Sequence, residues 1–75
     1  MKTYKVEVSN MNGSDTRIQE FPTYKKALQY YTQKCDDLNI DDGHRQWPAV
    51  EANLEAGGRG YDYRVSLLVE EENKL

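Results

Sequence analysis

The stretch TYKKALQYYTQKCDDL, residues 23–38, decides the fold that this sequence predicts. Its apolar side chains recur at steps of three and four, which is the period of an amphipathic helix. The apolar stripe consists of Tyr24, Ala27, Leu28, Tyr31, Cys35 and Leu38. A helix of this length is marginal in water, so its stripe must be covered by a sheet or by another helix.

The two ends of this helix differ in how well the sequence suits them. Pro22 stops the preceding segment, and the hydroxyl of Thr23 is placed to cap the first turn. At the other end, Asp36 and Asp37 bring negative charge to the negative end of the helix dipole. A cationic partner would relieve that misfit, but we expect both carboxylates to face water.

Four segments around the helix alternate apolar and polar residues, as half-buried strands do. They are residues 4–8, 16–21, 50–56 and 61–69, with turn residues at 10–15 and 57–60. The sequence therefore predicts a two-layer α+β fold in ββαββ order, with a four-stranded, mostly antiparallel sheet and one amphipathic helix packed on one face. We expect one domain over residues 1–70 and a disordered charged tail over 71–75. The order of the strands in the sheet is not predicted.

Two apolar residues do not fit the simple strand pattern. Ile18 and Phe21 have opposite parity, so the second strand either bulges or ends before Phe21. Leu68 lies on the polar face of the last strand. A second subunit would explain Leu68, and we expect a weak homodimer through the face or the edge of that strand.

Composition limits the class of protein. The chain has 75 residues, 10 basic and 13 acidic, for a net charge of −3. It shows neither the apolar run of a signal peptide nor a window of about 20 apolar residues that could span a membrane. Cys35 is the only cysteine, so no intramolecular disulfide forms. We expect a soluble, cytoplasmic protein without membrane contact.

The sequence offers no constellation for catalysis, and we expect a non-enzyme without cofactor or metal. A metal site needs several converging ligands, whereas this chain has one His and one Cys. Cys35 with His44 as its base is conceivable, but Cys35 belongs to the buried stripe, where a thiol is inert. The glycines of residues 57–60 lead into a strand, which favours a hairpin turn over a phosphate-binding loop.

The irregular segment 39–49 is predicted to be a surface loop and holds the candidate partner-binding residues His44, Arg45 and Trp47. Trp and Arg are enriched at interface hot spots. The competing interpretation, which we favour for Trp47 itself, is a lid that folds back to seal one end of the core.

These observations predict a small acidic protein-interaction domain whose protein partner is unknown. One alternative is an acidic inhibitor or nucleic-acid mimic that occupies a basic groove. Another is a single-stranded nucleic-acid binder that uses the sheet face. Dispersed basic residues, and tyrosines that share parity with the core, argue against nucleic acid as a partner.

Overall fold

In the part of the chain that the structure describes, the fold consists of four strands, one α-helix and one turn of 3-10 helix. The computed structural model describes residues 2–10, 12–13, 15–47, 51–58 and 60–71. The elements are β1 (Lys2–Asn10), β2 (Thr16–Phe21), α1 (Tyr24–Asp37), a one-turn 3-10 helix (Asp42–His44), β3 (Leu54–Gly57) and β4 (Tyr63–Glu71). All strand pairs are antiparallel, the sheet order is β2-β1-β4-β3, and α1 packs on one face. The predicted two-layer α+β fold is confirmed.

The helix α1 forms as its sequence predicts. Thr23 has an extended backbone, and its Oγ1 accepts a hydrogen bond from the N–H of Lys26 at 3.2 Å. Ala27, Tyr31 and Cys35 on the stripe are fully buried against the sheet. Among the residues described, no helix is both long and apolar enough to cross a membrane.

The core lies between α1 and one face of the sheet. The central strands β1 and β4 supply much of it, and Ile40, from the segment after the helix, also belongs to it. Ile40 is only 1% exposed, although the sequence places it in a surface loop. The buried residues are Tyr4, Val6, Ala27, Tyr31, Cys35, Ile40, Leu54, Ala56, Val65 and Leu67.

Neither explanation offered for the parity of Ile18 and Phe21 is correct. The register between β1 and β2 runs without interruption from Tyr4 opposite Phe21 to Ser9 opposite Thr16. Phe21 therefore shares the helix face with Tyr4, and its ring lies 5.1 Å from that of Tyr30. Ile18 lies on the other face, named here the open face, and is 59% exposed. Apolar residues thus occupy both faces of a regular strand.

Several predicted boundaries differ from the observed ones. β3 begins at Leu54 rather than at Val50, which lies outside the described residues. Tyr61 precedes β4 and lies in the turn. Glu71, predicted to begin the tail, pairs with Lys2 at the end of β4. The rest of the predicted tail, residues 72–75, lies outside the described residues.

Candidate functional site

The candidate residues lie in a segment that the end of α1 fixes in place. Asn39 adopts a left-handed conformation with φ 55°, and its N–H donates to the carbonyl of Asp36 at 3.1 Å. The N–H of Ile40 then donates to the carbonyl of Cys35 at 2.9 Å. This is the Schellman arrangement, in which a left-handed residue ends the helix and an apolar residue follows it into the core. Residues 39–47 are named here the Arg45 loop.

Arg45 is held by contacts within its own chain. Its Nε and Nη2 donate to the carbonyl of Ile40 at 3.0 and 2.7 Å, and its Nη1 lies 2.9 Å from Oδ1 of Asp36. Asp42 Oδ1 lies 3.6 Å from Nε, and the Arg45 side chain is only 9% exposed. Burial opposes the charge of Arg45, but the hydrogen bond to Asp36 and the neighbouring carboxylates outweigh it and raise the pKa of the guanidinium.

The expectation that Asp36 only faces water is therefore wrong. Its side chain is 64% exposed, but it also pairs with Arg45 across the C-terminal end of α1. A cation at this end of a helix interacts favourably with the dipole as well as with the carboxylate. The unfavourable charge that the sequence places here is offset by an arginine from the same chain.

Trp47 is exposed, and the prediction that it forms a lid over the core is wrong. Its exposed fraction is 53%, and its ring lies 5.6 Å from the guanidinium carbon of Arg45. From the same segment it is Ile40, not Trp47, that is buried in the core. A cation over an indole ring attracts it by about 0.5–1 kcal/mol at an exposed site. Trp47 is thus supported by a buried arginine while a large part of its surface faces solvent.

His44 lies beside Tyr61 rather than beside Trp47. The Tyr61 hydroxyl is 3.2 Å from Nδ1 of His44, and the two rings meet edge to face at 5.2 Å. The same hydroxyl accepts a hydrogen bond from the N–H of Asp41 at 3.2 Å. Tyr61 thereby connects the one-turn helix to the turn before β4. His44 is exposed and is available to a partner at the margin of the loop.

The surface around Arg45 is acidic. A shallow depression between the end of α1 and the Arg45 loop is lined by Asp36, Asn39, Ile40, Asp41, Asp42 and Arg45. Because the Arg45 charge is already paired with Asp36 and Asp42, the outward surface is dominated by carboxylates. The arrangement combines one exposed indole with an acidic rim, because Arg45 contacts the Trp47 ring and also lines this depression.

Leu68 lies on the open face, as its parity predicts, and is half-buried. It is opposite Lys5 of β1, whose ammonium reaches Glu70 at 3.1 Å and Glu20 at 3.8 Å. β4 is an interior strand, between β1 and β3. The pairing with β3 covers only Arg64 to Leu67, so the part of β4 that begins at Leu68 has no β3 partner. Self-association through the face or the edge of this strand stays a prediction for Leu68.

The residues considered for catalysis are not brought together. Cys35 is fully buried, and burial raises the pKa of its thiol, which disfavours the reactive thiolate. His44 instead contacts Tyr61 at the surface. The described residues include no group of three His, Cys, Asp or Glu side chains that could hold a metal ion. Gly57 and Gly58 have positive φ and belong to the hairpin between β3 and β4, as predicted.

Comparisons with protein-family models, with curated proteins and with solved structures found no match to this chain.

The sequence identified the segment that carries the exposed indole but did not predict that Arg45 binds the Ile40 carbonyl and the Asp36 carboxylate. It also missed Tyr61, which the alternation placed in a strand. One signal could have found the loop anchor: Asn39 followed by Ile40 at the end of a helix is the residue pattern of a Schellman motif.

Proposed function

We propose that this chain is a non-enzymatic domain that binds another protein through Trp47. The observation that carries the proposal is the 53% exposure of Trp47 beside a guanidinium that is itself fixed by the fold. An exposed tryptophan gains free energy when a partner covers it, and an anchored loop loses little conformational entropy on binding. The Arg45 guanidinium contacts the Trp47 ring, and His44 is a polar residue at the margin of the Arg45 loop.

The acidic rim indicates the chemistry of the partner. Arg45 contacts the Trp47 ring and lines the depression that Asp36, Asp41 and Asp42 border, so we expect an apolar pocket for the indole with lysine or arginine beside it. A partner of this kind would also serve an acidic inhibitor, the first alternative. The two binding modes differ in whether charge attraction or burial of the indole supplies most of the binding free energy. A charge-driven mimic therefore loses affinity steeply as the salt concentration rises, whereas a tryptophan-anchored contact does not.

The open face gives less support to a nucleic-acid partner. On the described strands it carries Thr3, Lys5, Glu7, Ser9, Thr16, Ile18, Glu20, Glu55, Gly57, Arg64, Ser66, Leu68 and Glu70. None of these is aromatic, whereas single-strand binders stack bases on aromatic side chains. Carboxylates between the basic groups also weaken attraction to phosphate. A protein partner is the better proposal.

The first experiment uses the protein as its own probe. Trp47 is the only tryptophan, so fluorescence reports its environment directly. We expect red-shifted emission that iodide quenches readily in the isolated protein. Trp47→Ala should reduce the free energy of unfolding by about 1 kcal/mol or less, because a half-exposed ring leaves no closed cavity. Blue, protected emission would contradict the proposal.

The second experiment identifies and tests the partner. The wild-type chain and Trp47→Ala are used as matched baits in the source cell extract, and only a protein lost with Trp47→Ala is pursued by mass spectrometry. With that purified protein, Trp47→Ala should raise the Kd about 30-fold or more. A Kd that Trp47→Ala leaves unchanged but that Asp41→Asn and rising salt increase would favour the acidic-mimic alternative instead.

A further inference from the structure

The outer edge of β2 is a second surface, remote in the sheet from the Arg45 loop. β2 has a strand on only one side in the part of the chain that the structure describes, and Thr16 to Glu20 are all exposed. Arg17 and Gln19 point to the helix side, yet α1 leaves them exposed, so the chain does not cover this edge from above. An exposed strand edge is a template for pairing with another strand.

The hairpin between β1 and β2 shows which backbone groups of β2 point outward. The N–H of Asn10 donates to the carbonyl of Asp15 at 3.0 Å, so this facing pair is hydrogen-bonded. Facing pairs alternate between hydrogen-bonded and non-hydrogen-bonded along a regular antiparallel ladder. The uninterrupted register then directs the N–H and C=O groups of Thr16, Ile18 and Glu20 away from β1. These three residues can accept another strand.

We propose that β2 pairs antiparallel with β2 of a second copy of this chain, with Ile18 of the two copies facing each other. In this register each outward residue finds a partner, because Thr16 of one copy faces Glu20 of the other. Both isoleucines, each 59% exposed in one chain, then meet on the open face. On the helix side Arg17 faces Gln19, so no like charges are opposed. A two-fold axis through the isoleucine pair joins the two sheets into one, with both helices on the same side.

The neighbouring registers are less favourable. A shift that centres the pairing on Arg17 sets two guanidinium groups opposite each other, and one centred on Glu20 opposes two carboxylates. A register centred on Gln19 places Ile18 against Glu20 and Thr16 against Pro22, which has no N–H to donate. Of the registers centred on Arg17, Ile18, Gln19 and Glu20, the one centred on Ile18 is the most complementary, and this points to a second copy rather than to an unrelated strand.

The oligomeric state of the full chain is the first test. Light scattering over a concentration series should show a mass that rises toward twice the 8.7 kDa of one chain. Ile18→Glu would place two carboxylates opposite each other and should raise the dimer Kd by at least about tenfold. Leu68→Glu is the matched control, since it adds the same charge to the open face of an interior strand, opposite Lys5, and should leave the Kd unchanged. A single-chain mass at every concentration, or a dimer that Leu68→Glu disrupts and Ile18→Glu does not, would overturn the proposal.

Cysteine pairs test the register. Ile18→Cys should form a disulfide-linked dimer under mild oxidation, because directly facing residues have Cα atoms within disulfide reach. Thr16→Cys alone and Glu20→Cys alone should not, whereas a mixture of these two variants should give the mixed dimer. The native Cys35 is fully buried and does not interfere. Equal cross-linking of all three single variants would show random collision and contradict the proposed pairing.

Discussion

The two edges of the sheet are treated in opposite ways. At the β3 edge, the N–H of Gln46 donates to the Glu55 carbonyl at 2.9 Å, and the Gln46 side-chain carbonyl accepts from the Glu55 N–H at 3.0 Å. The backbone of Arg45 also forms an isolated antiparallel β-bridge with that of Ala56. At the β2 edge, the outward groups face away from the sheet and all but the last residue is exposed. One edge is closed by the chain itself, and the other is left open.

The closed edge depends on the Arg45 loop, which three contacts hold to the core and to the helix. Ile40 anchors it in the core, Arg45 binds the carbonyl of Ile40, and the Tyr31 hydroxyl donates to the carbonyl of Gln46 at 3.1 Å. β2 has a partner strand on one side only and little cover from the helix. We therefore expect local opening to begin at β2 and to reach the Arg45 loop last.

The largest expected effect is at Gly57, which turns the chain between β3 and β4. It has φ 82°, and a Cβ atom there would lie 2.5 Å from the carbonyl oxygen of Tyr63. Gly57→Ala should reduce the free energy of unfolding by about 3 kcal/mol or more, because backbone strain and a backbone collision add. Gly13→Ala is the matched control on the β1–β2 hairpin, with φ 75° and nothing within 4 Å of the added atom. At Gly13 only the backbone strain of a positive φ remains, which should reduce the free energy of unfolding by about 1 kcal/mol. Equal losses in urea titrations would show that the two hairpins are equally tolerant.

The next effect compares one arginine at each edge. Arg45→Met keeps most of the buried stem but removes the donors to Ile40 and Asp36, and should destabilise the fold by about 2 kcal/mol. Arg17→Met is its counterpart on β2, where the side chain is 86% exposed and lies 4.0 Å from Asp15. A surface pair of this kind contributes little, so a change within about 0.5 kcal/mol is expected. If both variants melted alike, the closed edge would owe its stability to something other than Arg45.

Much of this fold could be predicted from local patterns, because the elements that carry it are individually regular. The stripe of α1, the Thr23 cap and the alternation of β1 and β4 each specify one face to bury. Sheet order could not be predicted, since both hairpins are local and the pairing of β1 with β4 joins segments far apart in sequence. The parity of Ile18 was misread for a related reason: an edge strand that the helix barely covers is free to place an apolar residue on either face.

The candidate site was predictable in composition but not in arrangement. Trp47 in an irregular segment allowed both a binding loop and a lid over the core, and the lid, which we favoured, is ruled out by its exposure. The role of Arg45 depends on the left-handed turn at Asn39, which brings the Ile40 carbonyl and the Asp36 carboxylate within its reach. Such a contact depends on how one residue ends a helix, whereas helical and strand periodicity report only which faces are buried.

The smallest effect concerns the segment that leads into the closed edge. The Tyr4 hydroxyl donates to Oε1 of Glu51 at 2.7 Å, and this hydrogen bond lowers the pKa of Glu51 below its ordinary value. A carboxyl whose pKa is lowered by folding stabilises the fold above its unfolded pKa, and this contribution is lost as pH falls through the folded pKa. Tyr4→Phe should therefore reduce the free energy of unfolding at pH 7. The difference in this free energy between the variant and the wild type should become smaller below about pH 4.

Tyr24→Phe provides the control for this pH dependence. The Tyr24 hydroxyl donates to the carbonyl of Ala52 at 3.0 Å, only one residue from Glu51, but this acceptor does not titrate. The free energy of unfolding that Tyr24→Phe loses relative to the wild type, measured in urea titrations, should be the same at pH 7 and at pH 3.5. A Tyr4→Phe difference in the free energy of unfolding that also stays constant would show that the Tyr4 hydrogen bond does not depend on the ionisation of Glu51. The carboxylate would then hold this segment through its ion pair with Lys2, whose Nζ lies 3.4 Å from Oε1 of Glu51, and not through Tyr4.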